Sequence, residues 1–142
     1  MKRTVTSIMA FAIMLMIALG LCSCEINQEN GDLWDNATYT EDVTLGNGSK
    51  TVQVEVKVGE KSVTFTIKTD ATTLGDALLE HDLIAGEQGD YGLYVKKVNG
   101  ITADYDINHT YWGFYKNGEY LMSGVDTTEI ADGEHYEIVH SK

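Results

Sequence analysis

The stretch Thr51-Val-Gln-Val-Glu-Val-Lys-Val58 decides the fold class of this protein. Valine occupies every second position and the residues between are polar, which is the pattern of a β-strand with one buried face. Gly59-Glu-Lys61 then turns the chain, and Val63, Phe65 and Ile67 alternate with polar residues in the same way. These two segments predict a β-hairpin.

A short helix is predicted directly after the hairpin. Thr73-Leu-Gly-Asp76 has the spacing of a capping box, with Asp in the place of the usual Glu. Leu74, Ala77 and Leu78 then repeat at helical spacing. We expect a helix over about residues 74–82, with these three side chains in the core.

Two further hairpins and a last strand are predicted after Gly89. Asn99-Gly100 and Asn117-Gly118 are two-residue turn signals, and each is flanked by apolar or aromatic strand residues (91–96, 101–105, 111–116 and 119–122). Asp132-Gly133 turns the chain into a strand over residues 135–140. Strands on both sides of one helix predict an α+β domain of β-β-α-β-β type.

The N-terminal segment has the pattern of an export signal. Lys2 and Arg3 precede an apolar run over residues 8–21, which ends in Leu21-Cys-Ser-Cys24. A membrane-spanning helix needs about 20 apolar residues, so this run is too short to span a bilayer. The Leu-Cys-Ser-Cys stretch resembles a bacterial lipoprotein box, which implies cleavage before Cys24 and acylation of its sulfur. An ordinary secretory signal that is cleaved nearby is the alternative.

These patterns divide the chain into a lipoprotein signal peptide over residues 1–23, an acidic tether over 24–50 and a β-domain over 51–142. Two acyl chains on Cys24 would anchor the protein stably, which predicts a lipid-anchored protein on the extracytoplasmic face of the cell membrane. Acidic residues without a basic partner predict that the tether is solvated. Whether residues 34–45 add an edge strand to the domain stays open, because Trp34 and Tyr39 interrupt the polar pattern.

Charge limits the partners of this chain. It has 22 acidic and 10 basic residues and a net charge of −12. Its one arginine, Arg3, lies in the predicted signal peptide, so the domain has no arginine to grip phosphates and we expect no nucleic-acid partner. Cys24 would be the only cysteine left after cleavage, which excludes an intramolecular disulfide.

Motifs for catalysis or metal binding are missing from the sequence. Asp104-Tyr-Asp-Ile-Asn108 has the first spacings of a calcium loop, but His109 and Tyr115 stand where such a loop needs Gly and Glu. His135 and His140 lie on opposite faces of the predicted strand, so they do not suit one metal ion. We expect neither enzyme activity nor a metal site.

Aromatic residues crowd the predicted strands after Gly89. Tyrosine and tryptophan combine a large contact area with a polar tip, and binding surfaces favour them. In the strand over residues 111–116, Trp112 and Phe114 share the face that we expect to pack on the helix. Tyr111 and Tyr115 share the opposite face and are expected to stay reachable. The candidate ligand-binding residues are Tyr94, Tyr111, Trp112, Tyr115 and Tyr120.

Five stretches resemble a known domain: Thr73-Leu-Gly-Asp-Ala-Leu-Leu79, Tyr94-Val-Lys-Lys-Val-Asn-Gly100, Tyr111-Trp-Gly-Phe-Tyr-Lys-Asn-Gly118, Ser123-Gly-Val-Asp126 and Asp132-Gly-Glu134. The chain is similar to a β-grasp (ubiquitin-like) domain of unknown function in bacterial surface lipoproteins and to the C-terminal β-domain of transcobalamin and intrinsic factor. The resemblance implies a β-grasp sheet packed on one helix. It also implies a non-enzymatic module for a small ligand, with a corrinoid or another flat molecule as the candidate. A protein-interaction or adhesive module that contacts a surface protein is the alternative.

Overall fold

The computed structural model describes residues 32–142. The predicted signal peptide over residues 1–23, the predicted lipidation site Cys24 and the first part of the predicted tether lie outside the described residues. Within residues 32–142, no helix has the length and hydrophobicity needed to cross a membrane.

The described part of the chain is mostly β-sheet, with few helical residues. A 3-10 helix, Leu33–Asn36, comes first. The strands are β1 (Val43–Gly46), β2 (Lys50–Val58), β3 (Lys61–Thr69), β4 (Ile84–Gly89), β5 (Gly92–Val98), β6 (Ile101–Thr102), β7 (Tyr111–Lys116), β8 (Glu119–Tyr120) and β9 (His135–Ser141). The two α-helices are α1 (Leu74–Leu79) and α2 (Tyr105–Asn108).

The strands form two sheets. A six-stranded sheet has the order β1-β3-β2-β9-β7-β8, and a three-stranded sheet has the order β4-β5-β6. In the larger sheet, β2 pairs antiparallel with β3 and parallel with β9, while β7 pairs antiparallel with β9. The first hairpin and the last strand of the domain are therefore neighbours at the centre of one sheet.

The core lies on one face of the larger sheet, and the alternation seen in the sequence places it there. Val54 pairs with Phe65 on one side and with Tyr136 on the other. All three side chains are fully buried, as are Val52 and Ile138 on the same face. The polar residues between them point away from the core because successive side chains of a strand alternate between faces. The predicted first hairpin is confirmed.

Helix α1 packs its apolar side into this core. The Thr73 hydroxyl accepts the N–H of Asp76 at 3.2 Å and caps the helix, and Leu74, Ala77 and Leu78 are buried. The helix ends at Leu79, three residues earlier than predicted. Asp82 adopts a left-handed φ of 54°, and the Leu83 N–H donates to the carbonyl of Leu78 at 3.0 Å, a geometry that closes a helix C-terminus.

The smaller sheet contains a strand that the sequence pattern did not predict. Strand β4 carries exposed residues from Ala85 to Gly89, so it has no apolar alternation. It forms because its backbone pairs antiparallel with β5. The strand predicted over residues 101–105 ends at Thr102, because Asp104 accepts the N–H of Asp106 at 3.1 Å and caps α2.

Residues 32–50 are folded on the domain, so this part of the predicted solvated tether is not solvated chain. Strand β1 pairs parallel with β3, which is the edge strand that the sequence left open. The ring of Tyr39 packs edge-on against Phe65 at a centroid distance of 5.4 Å. The side chain of Asn99 accepts the N–H of Tyr39 and donates to its carbonyl, each at 2.9 Å. Buried apolar contact and these hydrogen bonds outweigh the acidic composition of the segment.

Candidate functional site

A cavity of about 570 Å³ lies between the two sheets, within the range of small-molecule sites. Strand β5 forms one wall, β7 forms another, and the segment from Tyr120 to Val125 closes a third side. The first residue of α2, Tyr105, also lines it. All of the lining residues lie between Tyr91 and Val125, so consecutive elements of one stretch of the chain fold around the cavity.

Aromatic side chains dominate the lining of this cavity. Seven of them contribute: Tyr91, Tyr94, Tyr105, Tyr111, Trp112, Phe114 and Tyr120. Tyr94, Tyr105 and Tyr120 are each about half exposed, and Tyr91 is almost fully exposed. Large apolar rings gathered in the open around one concave surface are uncommon in a monomer unless they serve binding.

Trp112 is the buried member of this set. Only 6% of its surface is exposed, and it belongs to the hydrophobic core. Its ring lies edge-on to the imidazole of His140 on the neighbouring strand, at a centroid distance of 5.2 Å. Phe114, on the same face, is half-buried and packs against the core. Trp112 is therefore a core residue that also forms part of the cavity wall.

Four of the five predicted site residues line the cavity, namely Tyr94, Tyr111, Trp112 and Tyr120. Tyr115 does not. Its ring covers the backbone of Gly113, where a side chain at that position would begin 3.1 Å from Cε2, and it packs edge-on against Tyr120 at 5.4 Å. Because Gly113 has no side chain, the Tyr115 ring packs directly on its backbone. From this position outside the cavity, Tyr115 supports Tyr120.

Sequence reasoning missed the wall formed by Leu121, Met122, Ser123, Gly124 and Val125. This segment has no periodic pattern, and Met122 is exposed. The available signal was the Ser123-Gly-Val-Asp126 stretch, which belongs to the family resemblance but carries no recognisable chemistry by itself.

Asp126 holds this wall against β5. One carboxylate oxygen, Oδ2, accepts the N–H of Leu93 at 3.2 Å. A side chain on Gly92 would begin 2.6 Å from the other oxygen, Oδ1, and one on Gly124 would begin 3.0 Å from it. A side chain at either position would displace this carboxylate, and Gly92 also has a left-handed φ of 109°, which favours glycine.

A charged group lies beside the cavity at Lys96. Its ammonium is 3.2 Å from the carboxylate of Glu87 and 3.4 Å from that of Asp104, and it lies 5.6 Å from the centroid of the Tyr94 ring. The hydrogen bond to Glu87 raises the pKa of Lys96, and Asp104 adds to the effect. Lys96 is thus held in its charged form.

The histidines of residues 32–142 do not gather into a metal site. Within this part of the chain, no group of three or more His, Cys, Asp or Glu side chains is placed to hold a metal ion. His109 instead closes α2 with a left-handed φ of 58°, and its ring packs edge-on against Tyr105. The partial calcium-loop spacing at Asp104–Asn108 forms the cap and first turn of α2.

Known proteins share this domain. Residues 71–138 match the model described as "Domain of unknown function (DUF4430)". A protein of Ruminococcus gnavus, whose crystal structure at 1.30 Å resolution is described as that of a "putative metal binding protein", is 34% identical, with a TM-score of 0.63. That match covers 66% of this chain and 98% of the other. None of the curated proteins matches the sequence.

A second solved structure shows the same fold. Haptocorrin in complex with Cbi is 24% identical, with a TM-score of 0.50, and the match covers 69% of this chain and 26% of haptocorrin. This chain thus spans about a quarter of haptocorrin. Both solved proteins are described by what they bind. The chain belongs to the same family as the Ruminococcus gnavus protein and carries a DUF4430 domain, a domain of unknown function, over residues 71–138.

Proposed function

We propose that this protein is a non-enzymatic lipoprotein on the extracytoplasmic face of the cell membrane, whose β-grasp domain binds a small planar ligand. The observation that carries the proposal is the aromatic cavity between β5, β7 and the segment from Tyr120 to Val125. It combines a volume suited to a small molecule with several exposed ring faces, which is what a flat ligand needs for stacking.

The strand pairing supports assignment to the β-grasp class. The first hairpin, β2–β3, lies beside the last strand, and β2 and β9 run parallel at the centre of the sheet. Helix α1 follows the hairpin in sequence and buries its apolar side in the core of the same domain. The hairpin and the packed helix agree with the β-grasp sheet on one helix that the family resemblance implied.

A corrinoid is the first candidate for the ligand. Haptocorrin, which shares the fold, was solved in complex with Cbi. Because this chain spans about a quarter of haptocorrin, we propose that its single domain contacts one side of such a ligand. Stacking on Tyr94 and Tyr111 would then contribute much of the binding energy.

The N-terminal sequence supports the proposed location. A basic start at Lys2-Arg3, an apolar run over residues 8–21 and the Leu21-Cys-Ser-Cys24 stretch together have the order of a lipoprotein signal. The described domain begins at Asp32, so only a few residues would separate a lipidated Cys24 from it.

Titration of the detergent-solubilised full protein with cobinamide, followed by visible absorption, tests the proposal. We expect saturable binding in the wild type and a loss of about tenfold or more in affinity for Tyr94→Ala and Tyr111→Ala, because each removes a stacking face. Tyr115→Ala is the matched control for Tyr111, since it removes the same side chain from the same strand outside the cavity. It should lower the affinity much less.

A protein-interaction or adhesive surface module is the alternative. If the wild type binds neither cobinamide nor any small molecule that copurifies from native membranes and is detected by mass spectrometry, the small-ligand proposal is wrong. Equal loss of affinity in Tyr111→Ala and Tyr115→Ala would contradict a direct stacking role for Tyr111.

A further inference from the structure

We infer that the aromatic cavity prefers an organic cation, with a planar or quaternary ammonium group, over a neutral or anionic molecule of the same shape. The inference rests on the proposed function, because it names the ligand class for the same cavity. Three features carry it: the chemistry of the lining, the pairing of Lys96, and a carboxylate behind the wall at Asp126.

The lining offers ring faces without charge. Among the described residues that surround the cavity, seven are aromatic and none has a charged side chain. The faces of tyrosine and tryptophan rings are electrostatically negative, and they attract a cation that comes within about 6 Å of the ring centroid. Several such faces around one space attract a cation together. An anion meets the same faces with repulsion and finds no positive side chain in the lining.

The protein already places a cation on one of these rings. The ammonium of Lys96 lies 5.6 Å from the centroid of Tyr94. The same ammonium contacts the carboxylates of Glu87 and Asp104, so two negative charges surround one positive charge. Lys96 therefore shows that a lining ring accepts a cation. The positive charge of Lys96 is balanced by its two carboxylate partners, so it does not attract an anionic ligand.

The half-buried side chain of Asp126 places one carboxylate oxygen close behind the cavity wall. Oδ1 of Asp126 is buried and has no hydrogen-bond partner among the described residues. It lies 3.0 Å from the place where a side chain on Gly124 would begin, and Gly124 lines the cavity. Glycine leaves only backbone between this oxygen and the wall. A charge in such a poorly solvated position acts over a longer distance than one in water.

The net charge of the whole chain is negative, like that of Asp126. A net charge of −12 raises the local concentration of cations around the protein and lowers that of anions. An aromatic cavity with a negative charge behind its wall, in an acidic protein, is therefore complementary to a positively charged ligand with a flat or rounded apolar surface.

Two probes of matched shape test the inference by isothermal titration calorimetry on the full protein in detergent. They are (3-hydroxyphenyl)trimethylammonium and its neutral counterpart 3-tert-butylphenol. We expect the cation to bind about tenfold more tightly at about 0.01 M salt, and this preference to shrink at about 0.15 M because salt screens the attraction. Equal or tighter binding of the neutral probe overturns the inference and leaves the proposed function standing. Failure of both probes to bind also overturns the inference, and the cobinamide titration then decides separately whether the proposed function stands.

Asp126→Asn tests the source of the preference. Asparagine keeps the shape of the side chain and an oxygen for the N–H of Leu93, but it removes the charge. We expect the affinity for the cation to fall about fivefold and that for the neutral probe to stay unchanged. Equal losses for both probes would mean that the variant has damaged the cavity, and this result overturns the role of the Asp126 charge. Glu60→Gln, which removes an exposed charge in the β2–β3 turn, is the matched control and should alter neither affinity.

Discussion

Leu78→Ala should destabilise this domain strongly, whereas Leu79→Ala should not. The two leucines are neighbours on α1, but Leu78 is 1% exposed within the core and Leu79 is 44% exposed. The pair therefore compares the same chemical change on the two sides of one short helix.

The magnitude follows from what each truncation removes. Leu78→Ala takes away three buried carbon groups at about 0.8 kcal/mol each and leaves a cavity in the core, so a loss of about 2–5 kcal/mol is expected. Leu79→Ala removes partly hydrated carbons and leaves no closed cavity, so about 1 kcal/mol or less is expected. For a domain of this size, each kcal/mol lowers the melting temperature by about 4 °C. The melting temperature should therefore fall by about 8–20 °C in Leu78→Ala and by less than about 4 °C in Leu79→Ala.

Urea denaturation followed by circular dichroism measures both effects. A fall in the midpoint with an unchanged slope would show that the native state has lost stability while the unfolding transition stays the same. If Leu78→Ala melts within about 2 °C of the wild type, or if the two variants lose equal stability, the packing of α1 in the core is refuted.

Two further predictions concern the N-terminus and pH. Cys24→Ala should move the protein out of the membrane fraction or leave the signal uncleaved, whereas Cys22→Ala should leave its detergent partitioning unchanged; membrane retention of a Cys24→Ala protein whose signal has been cleaved would contradict the lipid anchor. Burial, with a smaller contribution from Lys142, lowers the pKa of His140 below its usual 6.5. The unfolded chain therefore takes up this proton first as the pH falls, so thermal melts should show a loss of stability below about pH 6.5. His140→Asn should reduce this dependence between pH 7.5 and 5, and an identical pH profile would contradict the assignment.

The strands and turns with strong local signals could be predicted from the sequence. The alternation of Val52, Val54 and Val56 with polar residues requires one buried face, and the same requirement places Phe65 and Ile67 opposite them. Asn99-Gly100 and Asn117-Gly118 adopt the left-handed conformations that a two-residue hairpin turn needs. These features depend on residues close together in the chain, so pattern and propensity suffice.

Strand β4 and the folded segment before β2 could not be predicted in this way. Strand β4 forms through backbone pairing with β5, and its exposed side chains carry no periodic signal. The acidic composition around β1 predicts solvated chain. In the structure, the ring of Tyr39 packs against Phe65, and its backbone N–H donates a hydrogen bond to the side chain of Asn99. The segment before β2 is thus stabilised by partners that lie many residues away. Strand β4 is stabilised by backbone pairing with the next strand, which leaves no pattern in its side chains.

For the candidate site, the sequence by itself showed which aromatic residues are available, and only the tertiary structure decided which of them line one cavity. Tyr94, Tyr111, Trp112 and Tyr120 meet around one cavity because β5 of the smaller sheet packs beside β7 of the larger one. Tyr115 has the same residue type and strand as Tyr111, yet it covers Gly113 on the outside. A local pattern specifies which face of a strand a side chain occupies. The space in front of that face is set by how β5, β7 and the segment from Tyr120 to Val125 pack on one another, so it is fixed only in the folded domain.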